Sequence, residues 1–131
     1  RLGLTNVKSA LIDALHSEFD KKFDRILLDV PCSNMGVLSR RPEVLYRLKP
    51  EDFKTLPALQ LSILESASKA LKPGGILVYA TCSPERVETT RVIDLFLTNN
   101  SEFEAHGEPV RIGKNDMGLD HFFAQALMRK P

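Results

Sequence analysis

The stretch FDRILLDVPCS spans residues 23–33 and decides the fold of this chain. Its first part, Phe23–Leu28, is a short and nearly continuous apolar run, which is typical of a strand covered on both faces. A similar run, Ile76–Ala80, leads through Thr81 into Cys82. If the two strands are parallel neighbours, Cys32 and Cys82 emerge at the same edge of the sheet. A lone cysteine is more often a small buried hydrophobe, but two at matching strand ends favour a reactive pair.

Further elements follow from the spacing of apolar residues. Between Asp52 and Leu71 they recur every three or four positions, which predicts a helix, and Pro57 favours a start near that proline. Lys72–Gly75 then ends the helix and turns the chain. The remaining predictions are strands at Val7–Ile12, Phe103–His106 and Phe122–Met128, a helix at Pro84–Leu97, and the end of a helix at Arg1–Leu4, with Gly3 in the left-handed conformation. Strands that alternate with helices predict an α/β fold with a mainly parallel sheet.

Composition excludes several classes of protein. The chain has 131 residues, 43% hydrophobic and 27% charged, which is ordinary for one globular domain. Its net charge of +1 gives no support to nucleic-acid binding through bulk charge, so such binding needs a local patch. No apolar run reaches the roughly 18–20 residues of a membrane span. Two cysteines without a secretory signal indicate reduced thiols and a cytoplasmic protein, and neither they nor the scattered histidines predict a metal site.

The two cysteine motifs resemble those of a known family. Asp29-Val30-Pro31-Cys32-Ser33 and Thr81-Cys82-Ser83 look like the paired signatures of the RNA 5-methylcytosine methyltransferases, in particular the branch that acts on bacterial 16S ribosomal RNA. The closing run at residues 120–124, DHFFA, is similar to the Asp-Gly-Phe-Phe strand of that family. The resemblance implies a partial Rossmann-like, class I methyltransferase fold, with a mainly parallel sheet and a C-terminal antiparallel strand, that uses S-adenosylmethionine. It also implies an RNA substrate.

The resemblance also implies roles for single residues. Cytosine C5 is a poor nucleophile, and a thiolate that adds to C6 activates it, which is covalent catalysis. Cys82 is implied as that nucleophile and Cys32 as the group that assists release. Asp29 matches the acid that holds the cytosine or the reacting end of the cofactor. Pro31 is expected beside the cofactor, and Asp13 matches the acid that binds its adenine. An Asp after a strand is otherwise usually a turn or cap residue.

RNA contacts are expected in the loop that follows Cys32. Arg40, Arg41 and Arg47 are candidates for binding phosphates, although a short basic run is more often solvated surface. The target cytosine must be unstacked for a thiol to reach C6. Asn34 stands where the family usually has glycine, and asparagine also tolerates the left-handed conformation.

Parts of the family pattern are missing from the chain. The glycine-rich cofactor loop and the strand that follows it are not found, so residues 1–131 are expected to form one partial catalytic domain of a longer enzyme. The family's sheet order is 3-2-1-4-5-7-6, which leaves the strand before Asp29 without one neighbour. We therefore expect this piece to self-associate and to bind S-adenosylmethionine weakly.

Three alternatives remain at this stage. A cysteine hydrolase needs a histidine base, and only the distant His106 or His121 qualifies. A dithiol redox protein usually carries a Cys-x-x-Cys pair, which is not found here. A catalytically inactive RNA-binding module with the methyltransferase fold is the third alternative.

Overall fold

The structure is a computed structural model that describes Gly3 and residues 5–15, 22–113 and 120–131. Its strands are β1 (Phe23–Asp29), β2 (Leu71–Thr81), β3 (Phe103–Ala105), β4 (Val110–Ile112) and β5 (Phe122–Arg129). Its helices are α1 (Val44–Arg47), α2 (Asp52–Ser68) and α3 (Thr90–Asn99), with 3₁₀ turns at Met35–Val37 and Arg86–Glu88.

The strands form one mixed sheet in the order β1-β2-β5-β3, with β4 also paired to β5. β1 and β2 are parallel, and Asp29 lies opposite Ala80 at their carboxyl ends. β5 runs antiparallel to β2, β3 and β4. The predicted parallel neighbours and the C-terminal antiparallel strand are therefore confirmed. The order matches the last four positions of the expected sheet, and among the described strands only β1 and β2 form a parallel pair.

The core lies between one face of the sheet and the helices α2 and α3. Its largest fully buried side chains include Tyr79 on β2, Phe123 on β5, Leu64 on α2 and Phe96 on α3. The ring of Phe96 meets that of Phe103 edge to face, with centroids 5.1 Å apart. Burying each such side chain contributes about 1.5–3 kcal/mol, so this face holds the cysteine-bearing ends of β1 and β2 in place.

The prediction of a strand at Val7–Ile12 is wrong, because these residues form no strand. Val7, Leu11 and Ile12 are exposed by 62%, 105% and 52%. A strand needs a neighbour to accept its backbone hydrogen bonds, and no described strand pairs with this segment. β1 is also less covered than predicted, since Leu27 is 71% exposed. The described helices cover only one face of β1.

The helix boundaries differ from the predictions in instructive ways. α2 begins at Asp52, so Pro57 lies inside it rather than in its first turn. Backbone bonds from residues 52, 54 and 55 to Lys49 and Glu51 start the helix before the proline, which removes only one later bond. The predicted helix at Pro84–Leu97 is a 3₁₀ turn followed by α3.

The Lys72–Gly75 turn is absorbed into β2. It forms an irregularity between two paired positions, at Leu71 and Ile76, and Gly74 has φ +73°. Of the predicted helix end at Arg1–Leu4, only Gly3 lies within the described residues, with φ +63°.

Candidate active site

The parallel pairing of β1 and β2 brings the two cysteines together. The Sγ atoms of Cys32 and Cys82 lie 3.0 Å apart, within hydrogen-bond distance for sulfur, and both residues are half-buried. The prediction that these residues share one site is confirmed by this distance. The two residues are 50 positions apart in the sequence. They meet because both loops leave the sheet at the carboxyl ends of adjacent strands.

The contact between the sulfurs divides one proton unequally. The hydrogen bond from Cys82 lowers the pKa of Cys32 to about 6, and the backbone N–H of Asn34 adds to this effect. The same hydrogen bond raises the pKa of Cys82, as do burial, the charge on Cys32 and the nearby Asp29. The two shifts are opposite, so Cys32 is the more acidic thiol of the pair and Cys82 the less acidic one.

Asn34 lies against both sulfurs. Its φ of 60° is the left-handed conformation expected for this position. Its side-chain Oδ1 lies 3.2 Å from the Sγ of Cys82, where it competes with Cys32 for the thiol proton, and its Nδ2 donates to the backbone carbonyl of Cys32 at 3.2 Å. The asparagine thus adds an amide to the thiol pair that a glycine would not supply.

Gly36 ties the loop after Cys32 to the rest of the site. Its N–H donates to the carbonyl of Cys82 at 3.0 Å, and its carbonyl accepts from the N–H of His121 at 3.0 Å. A Cβ at this position would lie 2.1 Å from the Cys82 carbonyl oxygen. Only glycine permits this close approach of the two backbones.

A buried polar cluster lies beneath the cysteine loops. Glu88 is fully buried, and its carboxylate accepts from Ser33, Ser83 and Gln60. Tyr79 donates its hydroxyl to the backbone carbonyl of Glu88 at 2.7 Å, and burial raises the pKa of this phenol. Glu88, Gln60 and Gly36 were not among the site residues predicted from the sequence. The repeated Cys-Ser pair was the one signal available, since both serines contact the same carboxylate.

The three residues expected to bind the cofactor occupy different settings. Asp29 ends β1, is exposed, and is close enough for its charge to act on Cys82. Pro31 is exposed, and its carbonyl accepts from Gln60 at 2.9 Å. Asp13 is exposed and accepts a hydrogen bond from the N–H of Leu15 at 2.9 Å. This is a turn contact, the role given above as the alternative to binding of adenine.

The predicted arginines separate into two groups. Arg41 and Arg47 line a cavity of about 310 Å³ together with Cys32. The same cavity has acidic walls at Glu43 and Asp52. Arg40 instead forms an ion pair with Asp120, which holds the pKa of that carboxyl below its usual range. Two of the three candidates therefore face the space beside the cysteine pair.

The contacts of the cysteines bear on the alternatives. Among the described residues no histidine is a hydrogen-bond partner of either sulfur, so the base that a cysteine hydrolase requires is not found there. Nor do these residues hold three or more side chains grouped to bind a metal ion.

None of the described helices combines the length and the apolar character needed to cross a bilayer.

The fold is that of the Rossmann-like methyltransferases. NSun6 from Pyrococcus horikoshii, solved with SFG, superimposes with a TM-score of 0.85 at 24% identity, over 99% of this chain and 36% of its own. A methyltransferase homolog protein from the same organism superimposes with a TM-score of 0.67 at 32% identity, over 85% of this chain and 40% of its own.

The family follows from the sequence match. Residues 1–123 match the model described as 16S rRNA methyltransferase RsmB/F, and the chain belongs to this family. It is 43% identical over 107 residues to the "Probable ribosomal RNA small subunit methyltransferase B" of Bacillus subtilis, covering 79% of this chain and 24% of the relative. The chain thus spans about a quarter of the length of this relative.

Proposed function

We propose that this chain is the catalytic part of an enzyme that methylates C5 of a cytosine in ribosomal RNA through a covalent bond between Cys82 and C6. The observation that carries the proposal is the 3.0 Å contact between the Sγ atoms of Cys32 and Cys82. Two thiols that share one proton supply both a nucleophile and a base in the same place. Membership of the 16S rRNA methyltransferase family supports the reaction and the ribosomal RNA substrate.

The proton of the pair defines the first step. Cys32 is the more acidic of the two thiols, so its thiolate is the base that takes the proton of Cys82 across the 3.0 Å contact. The Cys82 thiolate then adds to C6, and the electron pair of the C5–C6 bond makes C5 nucleophilic. Cys32 gives the proton it took from Cys82 to water before release. After methylation its thiolate takes the proton from C5, the electron pair of that C–H bond forms the C5–C6 double bond again, and the Cys82–C6 bond breaks with its electron pair on Cys82. Cys32 is the group beside Cys82 that assists this release.

S-adenosylmethionine would supply an electrophilic methyl group when bound. The donor set suits it, because the exposed carboxylate of Asp29 stands at the carboxyl end of β1, where α/β sheets bind ligands. A carboxylate attracts the positive sulfonium of this cofactor. Asp29 and Pro31 would hold the cofactor near the cysteines, and Asp13 would hold its adenine.

The cavity lined by Arg41 and Arg47 is the proposed entry for RNA. Its volume of about 310 Å³ falls at the lower end of the roughly 300–1,000 Å³ of small-molecule sites. Two guanidinium groups beside Cys32 would hold the phosphates that flank an unstacked cytosine. Arg40 would contribute less, because Asp120 already neutralises it.

Residues 1–131 would then form one partial domain of a longer cytoplasmic enzyme that acts on 16S ribosomal RNA. The alternative is an inactive RNA-binding module that has kept the fold. Mass spectrometry of the full-length protein with S-adenosylmethionine and RNA separates the two. A Cys82-linked RNA adduct in a Cys32→Ala variant supports the enzyme, whereas RNA binding with neither adduct nor methylated product supports the module.

A further inference from the structure

Glu88 is a buried acid that takes no part in the proposed reaction. Its side chain is 0% exposed, and among the described residues no lysine, arginine or histidine pairs with its carboxylate. A carboxylate without a counter-ion is unfavourable in the interior unless hydrogen bonds replace its water. The surroundings of Glu88 therefore need to supply several donors.

Four donors meet the two carboxylate oxygens. Oε1 accepts from the backbone N–H of Ser33 at 2.8 Å and from Nε2 of Gln60 at 3.0 Å. Oε2 accepts from the hydroxyls of Ser33 and Ser83, both at 2.5 Å. An ionised carboxylate is an acceptor only, so this set of donors matches it well.

The two serines occupy equivalent places in the site. Ser33 directly follows Cys32, and Ser83 directly follows Cys82. Their hydroxyls share one oxygen of Glu88 and lie 3.4 Å from each other. Each cysteine is thus one residue away from a common buried anchor, while Glu88 itself contacts neither sulfur.

We propose that Glu88 is a positioning residue that clamps the two Cys-Ser loops and so keeps the sulfurs of Cys32 and Cys82 in contact. The consequence for methyl transfer rests on the proposed function, but the geometric claim does not. Without the clamp, the loops keep the backbone bond from Gly36 to the Cys82 carbonyl. They lose the shared anchor of the two serines that directly follow the cysteines.

The proximity of the sulfurs is measured by their oxidation to a disulfide. Diamide takes two electrons and two protons from the two thiols and is reduced to its hydrazine, and the Cys32–Cys82 bond forms. The rate of disulfide formation depends on the distance between the sulfurs and on the fraction of thiolate. To remove the effect of the thiolate fraction, this rate is divided by the rate of alkylation with iodoacetamide at the same pH. The ratio reports the arrangement of the pair and needs neither RNA nor cofactor.

Three variants of the full-length protein test the clamp. Glu88→Gln and the double variant Ser33→Ala/Ser83→Ala should lower the ratio about tenfold or more, since a misplacement of about 1 Å costs on the order of a hundredfold in rate. Ser68→Ala is the matched control, because Ser68 is also buried but donates to Glu65 within α2. Its ratio should equal that of the wild type.

Methylation kinetics add a second readout, in which the two clamp variants should lower kcat and leave the KM for RNA unchanged. If Glu88→Gln does not fold, the double serine variant decides the matter. A wild-type oxidation ratio in that variant overturns the clamp. If the ratio falls while even the wild type methylates no RNA, the clamp stands and the proposed function fails.

Discussion

The Sγ atoms of Cys32 and Cys82 lie 3.0 Å apart, although the residues are 50 positions apart in the chain. Adjacent parallel strands end at this point. The loops that follow them are joined by the backbone bond from Gly36 to Cys82 and by the buried carboxylate of Glu88, which accepts from a serine of each loop. A thiol pair in this arrangement holds one proton between two sulfurs. Its acidity, its reactivity and its roles can be tested separately.

Single substitutions of the two cysteines assign their roles. Cys82→Ser in the full-length protein should abolish methylation, because the hydroxyl is a poor nucleophile toward C6. Cys32→Ala should instead accumulate a covalent RNA complex, because release loses its assisting group. Gel shift under denaturing conditions and product analysis measure both. Exchanged phenotypes would reverse the assignment, and normal turnover in both variants would exclude the cysteine mechanism.

The acidity of the pair gives a pH prediction. The alkylation rate of the wild-type pair should rise through about pH 6, the pKa of Cys32. Cys82→Ala removes the hydrogen-bond donor and should move this midpoint upward, toward the roughly 8.5 of an isolated thiol. Cys82→Ser retains a donor and should lie between the two. A midpoint that stays near 6 in Cys82→Ala would show that another group acidifies Cys32.

Removal of Cys32 should change the pH dependence of adduct formation. In Cys32→Ala the base beside Cys82 is lost, together with the hydrogen bond and the charge that raise the pKa of Cys82. The Cys82 thiol then titrates by itself, and for an ordinary pKa of roughly 8.5 only a few per cent of it is thiolate at pH 7. The covalent complex should then form slowly at pH 7 and faster at pH 9. Time courses of trapping at the two pH values measure this. Equal rates at both would mean that Cys32 does not take the proton of Cys82.

Gly36 should not tolerate a side chain. Gly36→Ala places a methyl group 2.1 Å from the Cys82 carbonyl oxygen, and the backbone shift should lower the free energy of unfolding by about 1–3 kcal/mol. Methylation should fall as well, because the Cys82 loop moves. Gly107→Ala is a useful comparison, since its Cβ would meet nothing within 4 Å but its φ is +74°. Loss of activity only in Gly36→Ala would separate the close contact from backbone strain.

Two arginines should account for RNA binding near the cysteines. Arg41→Ala and Arg47→Ala should each weaken binding and reduce the slope of log K against log salt by about 1, as expected for one lost phosphate contact. Arg40→Ala should have a smaller effect because of its ion pair with Asp120. Arg91→Ala, an exposed arginine on α3, is the control. Equal effects for all four would indicate a diffuse charge effect rather than a phosphate site.

Part of this protein was determined by its sequence alone. The runs at Phe23–Leu28 and Ile76–Ala80 predicted adjacent parallel strands, and the cysteine after each predicted a shared site. Both predictions needed only local information, because apolar spacing sets the type of an element and the strand ends set the direction of the loops. The paired motifs also indicated the family that the comparison of residues 1–123 shows.

Only the tertiary structure decided the rest. Val7–Ile12 has the composition of a strand, but a strand forms only where another backbone completes its hydrogen bonds, and the described sheet offers none. Glu88 looked like an ordinary helix residue until packing placed it under Ser33, 55 positions away in sequence. The division of the proton between Cys32 and Cys82 likewise depends on a 3.0 Å contact. Contacts of this kind join distant parts of the chain, so local residue patterns do not encode them.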